Sequence, residues 1–238
     1  MRQNVITTMP KDQEPRLVVM LTKNDYTVLN AADIFEQCKD TPAQCWGFKE
    51  HPLPPDEMRR LYARMKACGK TTFLEVVAYT EEEGLNGARL AADCGCDILM
   101  GTCFSDHILS FCQSHGLRYM PFVGIVTGRP SLLEGTVDDM ISEARSYLQR
   151  GAFGIDLLGY RYTGSTTATA LIQTFIKAVE APVCLAGSIN SFQRLDEVRQ
   201  AAPWAFTIGS AFFDKCFGQT LPEQINNVCN YIRYEERE

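Results

Sequence analysis

Three observations in this 238-residue chain predict an α/β fold closed into a single-domain (β/α)8 barrel. Eight short apolar segments recur along it, each followed by a stretch with helical spacing, the alternation of βαβ units around a parallel sheet. Several segments, Val18-Val19-Met20-Leu21 and Ile155-Asp156-Leu157-Leu158 among them, are continuous apolar runs, as parallel strands covered on both faces are. The glycine-rich loop that usually follows the first strand of an open doubly wound sheet is missing, which favours closure. On a barrel of this kind, active sites sit at the carboxyl ends of the strands.

The elements follow in order. Residues 1–16 are a polar N-terminal extension, and the barrel occupies 17–238, its first strand at 17–21. The second strand is 45–48; Pro54 and Pro55 then open a helix, where a fixed φ suits the first turn, and Met58, Leu61, Tyr62 and Met65 form its buried face. After the third strand, 72–77, Thr80-Glu81-Glu82-Glu83 reads as a capping box, as does Thr136-Val137-Asp138-Asp139 later in the chain. The fourth strand is 98–101 and the fifth 119–126. Met140, Ile141, Ala144, Tyr147 and Leu148 give the helix after it an apolar stripe. The sixth strand is 153–158, followed by a donor-rich loop, 160–167, with a glycine hinge; it either closes on a substrate with Arg161 clamping an anionic group or is a solvated loop whose Ser165 or Thr166 caps the next helix. The seventh and eighth strands are 183–186 and 205–208, with Phe192, Leu195 and Val198 serving the helix between them.

A hydrophobic content of 45% is enough for one large core, and a formal charge of −6 argues against a nucleic-acid partner. No run of apolar residues is long enough for a membrane helix, and the N-terminal stretch lacks the apolar core of a signal peptide. The ten cysteines do not suit a disulfide framework in a chain of this length. Cys112, Cys184 and Cys229 lie in apolar contexts and read as small hydrophobes. Cys94-Gly-Cys96 lacks zinc-site spacing. These features place the chain in the cytoplasm, reduced, with no cofactor. The oligomeric state stays open, a homo-oligomer included.

Two glycine turns point to an anion. Strand seven runs into Ala186-Gly187-Ser188-Ile189 and strand eight into Ile208-Gly209-Ser210-Ala211. Gly187, Ser188, Gly209 and Ser210 therefore stand where (β/α)8 barrels often hold a phosphate on backbone amides. Charged residues at strand exits mark the chemistry, because an inward charge needs a ligand or a partner. Lys23 and Asp25 follow strand one; Lys49, Glu50 and His51 follow strand two; Glu75 and Asp156 are embedded in strands three and six. Lys49, Glu75 and Asp156 are the candidate catalytic set, and Lys23 and Arg161 the candidate substrate-binding cations. Arg129 offers a further arginine. Carboxylates beside a lysine suit proton abstraction next to a carbonyl, with the ammonium steadying the enolate oxygen. They also suit a Schiff-base lysine of the aldolase kind. The three histidines do not form a pair with metal-ligand spacing, so no metal is expected.

The paired motifs Ala-Gly-Ser-Ile and Ile-Gly-Ser-Ala resemble the closing motifs of the ribulose-phosphate-binding barrel superfamily. The stretches from Thr80 to Ala88 and from Gly95 to Thr102 look like part of the N-acetylmannosamine-6-phosphate 2-epimerase family. The resemblance implies a TIM barrel acting on a small phosphorylated substrate. Taken with the charged set, it points to an isomerase or epimerase for a phosphorylated sugar or sugar acid. The alternatives are a carbon–carbon lyase and a barrel that binds a phosphometabolite without turnover.

Overall fold

The computed structural model describes residues 14–233. The expected extension over 1–16 lies, for residues 1–13, outside the described residues. Strand β1 (Arg16–Met20) leads into a tight hairpin, β2 (Thr22–Lys23) and β3 (Tyr26–Thr27), and then α1 (Ala31–Cys38). Next come β4 (Cys45–Lys49), α2 (Pro55–Ala67), β5 (Thr71–Val76), α3 (Glu81–Asp93), β6 (Ile98–Gly101), α4 (Asp106–Ser114) and β7 (Arg118–Met120). A second hairpin, β8 (Ile125–Thr127) and β9 (Leu132–Glu134), precedes α5 (Val137–Arg150). The chain closes through β10 (Ile155–Leu157), α6 (Ala168–Ala178), β11 (Val183–Leu185), α7 (Phe192–Ala201), β12 (Ala205–Ile208), α8 (Ser210–Phe213) and α9 (Leu221–Arg233).

Eight of these strands form one parallel sheet in the order β10-β11-β12-β1-β4-β5-β6-β7. The last strand meets the first, with Leu17 opposite Phe206 and Val19 opposite Ile208. The remaining seam is closed just beyond β7: Phe122 bridges Asp156, and the Asp156 N–H donates to the Pro121 carbonyl at 2.9 Å. The sheet is therefore a closed barrel rather than an open doubly wound layer. Its strands are buried on both faces, which is why they read as continuous apolar runs.

The helices start where capping chemistry lets them. Thr80 and Thr136 accept from the amides of Glu83 and Asp139, and Pro54 and Pro55 open α2. The cap of α6 is Thr167, which accepts from the Ala170 amide, and neither Ser165 nor Thr166 serves. Strand periodicity divides inward from outward residues. Trp46 and Phe48 leave the barrel to meet Phe35 edge-on at 5.1 Å and Tyr62 in a stack at 4.4 Å. The next residue on the inward face after Cys45 and Gly47 is Lys49.

The fifth strand departs from expectation. A single run over 119–126 does not form; pairing to β6 ends at Met120. Pro121 has no N–H to continue a ladder, and Gly124 takes φ +72, where a Cβ would lie 2.8 Å from the Glu134 carbonyl. The chain turns there and leaves the barrel as the β8–β9 hairpin. Phe192, expected on a buried helix face, is 39% exposed and packs by its ring on Phe217 and Tyr231. All ten cysteines are free thiols, and burial pushes those of Cys96 and Cys112 up to about 12. No described helix is long and apolar enough to cross a membrane.

Candidate active site

A cavity of about 800 Å³ opens at the carboxyl ends of the barrel strands. Lys49 and Glu75 line it because they occupy adjacent strands in register, β4 against β5. The Lys49 Nζ lies 3.2 Å from Glu75 Oε1 and 2.6 Å from Asp25 Oδ1. Their side chains are only 8%, 10% and 17% exposed, so this is a largely desolvated triad. Burial by itself would lower the Lys49 pKa, but the charges of Glu75 and Asp25 more than offset it, and the pKa is raised. The ammonium form is thereby held.

Asp25 reaches Lys49 from outside the strand repeat. It sits with Asn24 at the tip of the β2–β3 hairpin, both at positive φ, a conformation that Asn and Asp tolerate better than most residues. The hairpin is tied down at both ends. Thr27 Oγ1 donates to the Lys49 carbonyl and accepts its amide, at 2.7 and 2.9 Å, and the Asn24 amide donates to Ser210 Oγ at 3.0 Å. Asp25 Oδ2 is buried without a hydrogen-bond partner.

Asp156 stands apart from its expected companions. It projects into the barrel with no exposed surface, does not line the cavity, and neither carboxyl oxygen has a hydrogen-bond partner. Burial and then the Glu75 charge raise its pKa well above the usual carboxylate range, and the weaker opposing influences of Lys49 and the Gly101 backbone do not cancel this. It is a buried carboxyl group beside the triad, outside the cavity lining.

The four glycine-turn residues, Gly187, Ser188, Gly209 and Ser210, all line the same cavity, together with Arg161. Gly187 takes φ +83, and a Cβ there would lie 2.9 Å from Arg161 Nε, so the absent side chain leaves the guanidinium room beside the turn. Arg161 makes no ion pair with a described residue. Arg194, which sequence reasoning missed, also lines the cavity and braces the turn: its guanidinium donates to the Ser188 carbonyl and, at 3.2 Å, to Asn190 Oδ1. Its only sequence signal is its place in the first turn of the helix after strand seven.

Lys23, by contrast, does not line the cavity; β2 alternation turns Thr22 inward and Lys23 outward, where its Nζ lies 3.6 Å from Asp214. The loop over 160–167 is not a free lid. The Thr163 amide donates to the Leu133 carbonyl at 2.9 Å, and the Tyr162 hydroxyl to the Gly135 carbonyl at 2.9 Å, tying the loop to the β8–β9 hairpin. That hairpin brings Arg129 to the rim. The Arg129 Nη2 pairs with Glu50 Oε1 at 3.0 Å and donates to the Val77 carbonyl at 3.1 Å. His107 pairs with Glu81, and His115 stacks on Phe111. Among the described residues no three His, Cys, Asp or Glu side chains are grouped to hold a metal ion.

No family model and no curated protein matches the chain. Solved structures do. One described as "Native KDPGal structure" aligns with a TM-score of 0.66 at 12% identity, over 91% of this chain and 94% of that one. The orotidine 5'-phosphate decarboxylase of Lactobacillus acidophilus gives 0.64 at 10% identity, over 93% and 100%. The tryptophan synthase alpha chain of Legionella pneumophila gives 0.63 at 12%, over 92% and 91%. At such identities the likeness is one of architecture: this chain shares the barrel of these proteins over nearly their whole length.

Proposed function

We propose that the chain is an isomerase or epimerase acting on a phosphorylated sugar or sugar acid through an enolate. The observation that carries this reading is a lysine ammonium clamped between two carboxylates, in the same cavity as a double glycine turn backed by an arginine. The phosphate would rest on the turns at Gly187–Ser188 and Gly209–Ser210 with Arg161 beside it, as anions do on exposed backbone amides. Glu75 would take the proton from the carbon next to a carbonyl. The C–H electron pair moves into the new double bond, and the carbonyl oxygen becomes an enolate oxygen facing Lys49. When the adjacent hydroxyl passes its proton to the enolate oxygen, return of the abstracted proton to the former carbonyl carbon completes an isomerisation. Delivery of a solvent-derived proton by Asp25 to the opposite face of the first carbon, with Glu75 releasing its proton to solvent, completes an epimerisation. The motifs that resemble the superfamily's and the barrel likeness to an orotidine 5'-phosphate decarboxylase support an enzyme of this class.

A carbon–carbon lyase would use the same enolate. Its Schiff-base form requires a neutral amine, and the two carboxylates oppose that. A phosphosugar panel screened by thermal stabilisation identifies the ligand, and exchange of its α-proton with deuterated solvent tests the chemistry. Glu75→Gln should slow exchange and turnover by about 10²–10⁴-fold while ligand binding persists. Wild-type turnover in Glu75→Gln would end the reading. Borohydride trapping of substrate on Lys49 would replace it with the lyase, and binding without exchange in the wild type would leave a sensor.

A further inference from the structure

Arg129 lies across the cavity from the glycine turns. It is bonded to Glu50 and to the Val77 carbonyl, which directly follow β4 and β5, whereas Gly187 and Arg161 follow β11 and β10. β11 is second and β5 sixth in the order β10-β11-β12-β1-β4-β5-β6-β7, four places apart in a ring of eight, so one of the two strands that anchor Arg129 stands opposite the strand of the Gly187 turn. Lys49 and Glu75, on β4 and β5, line the same cavity.

The guanidinium is also incompletely used. Both of its bonds come from Nη2, and Nε and Nη1 have no partner among the described residues. Its side chain is 37% exposed, while Glu50 beneath it is 9% exposed with Oε2 buried and unpartnered. The planar donor edge is fixed in place by the hairpin tip. There the Tyr79 hydroxyl donates to the Gly128 carbonyl at 2.6 Å and meets Ser131 Oγ at 2.8 Å. A fixed guanidinium with donors to spare matches a carboxylate, which takes parallel bonds from it.

We propose that Arg129 is a carboxylate subsite and that the substrate is a phosphorylated sugar acid, anionic at both ends with its reacting carbon over Lys49. This rests on the phosphate end assigned above, and narrows the substrate class. The alternative role for Arg129, a brace for the rim, predicts no preference between acid and neutral ligands.

The test uses two six-carbon ligands that differ only at one terminus, 6-phosphogluconate with a carboxylate and sorbitol 6-phosphate with a hydroxymethyl group, together with inorganic phosphate. Calorimetry on the wild type should show the acid bound about 10–100-fold more tightly than the alcohol, the range for a charge-assisted bidentate contact. Arg129→Gln should remove that preference and leave sorbitol 6-phosphate and inorganic phosphate unchanged; Arg129→Lys should recover part of it. Where Arg129→Gln fails to fold, Glu50→Gln gives a second reading: freeing the arginine from its ion pair should increase the preference for the acid. Equal affinities in the wild type, or a preference that these variants leave untouched, overturn the inference alone if phosphate still binds. Failure of all three ligands to bind removes the phosphate end and the inference with it.

Discussion

Asp156 carries a carboxyl group into the barrel with no exposed surface and no hydrogen-bond partner, its pKa raised by burial and by the neighbouring Glu75 charge. The sign of its effect on stability follows. The unfolded chain releases this proton above about pH 4, whereas the folded chain keeps it, so stability is lost as pH rises from there through the raised folded pKa. Asp156→Asn cannot ionise. Its melting temperature relative to the wild type should therefore climb as pH rises above 4, by roughly 3–5 °C per pH unit until the folded pKa is reached, as calorimetry at several pH values would show; a constant difference would mean the group is ionised in the fold. At this scale the sequence is partly legible. A charge inside an apolar strand is conspicuous, and so Lys49, Glu75 and Asp156 stand out, although only the first two reach the cavity. Asp25 and Arg129 are less so, because each enters from a hairpin outside the repeat and its partner depends on a turn geometry that spacing does not specify.

The two hairpins and the glycine turns are the elements that set the site on the barrel. Gly209 is closely packed: a Cβ there would lie 2.5 Å from Thr22 Oγ1 and 3.0 Å from the Thr22 carbonyl. Gly209→Val should therefore push the β1–β2 connection aside and block the turn, weakening phosphate binding at least about 10-fold. Ser188→Ala should change it little, since the turn offers backbone rather than side chain. Comparable phosphate affinity in Gly209→Val and the wild type would move the anion elsewhere. Most of the strands and the caps of α3 and α5 were readable because burial on both faces and Thr-x-x-acid spacing are local signals. The early end of β7 was not, since Pro121 and Gly124 act together only once β9 supplies the carbonyl that Gly124 approaches.

For the molecule as a whole, closure brings distant segments together, with residues from β1 through α8 lining a single cavity. Ligand bound only by the folded state stabilises it by mass action, about 2.7 kcal/mol at a concentration 100 times Kd. Inorganic phosphate at that level should raise the melting temperature by roughly 5–10 °C for a chain of this length, and by much less in Gly209→Val. No rise in the wild type would remove the anion site. The count of eight strands was legible throughout; the seam at Phe122 and Asp156 was not, because one bridge leaves no trace in periodicity.

The loop after β10 and the β8–β9 hairpin are bound to each other at Leu133 and Gly135, and the hairpin tip is bound to Tyr79 and Glu50. The rim is thus a collar rather than a shutter. A shutter would seal the enolate of the proposed reaction from water and return the same proton to it; a collar would leave the chamber wet during that enolate's lifetime. Isotope from the solvent would then compete with the abstracted hydrogen at every turnover, so that product formed in heavy water carries the label and substrate label is washed out.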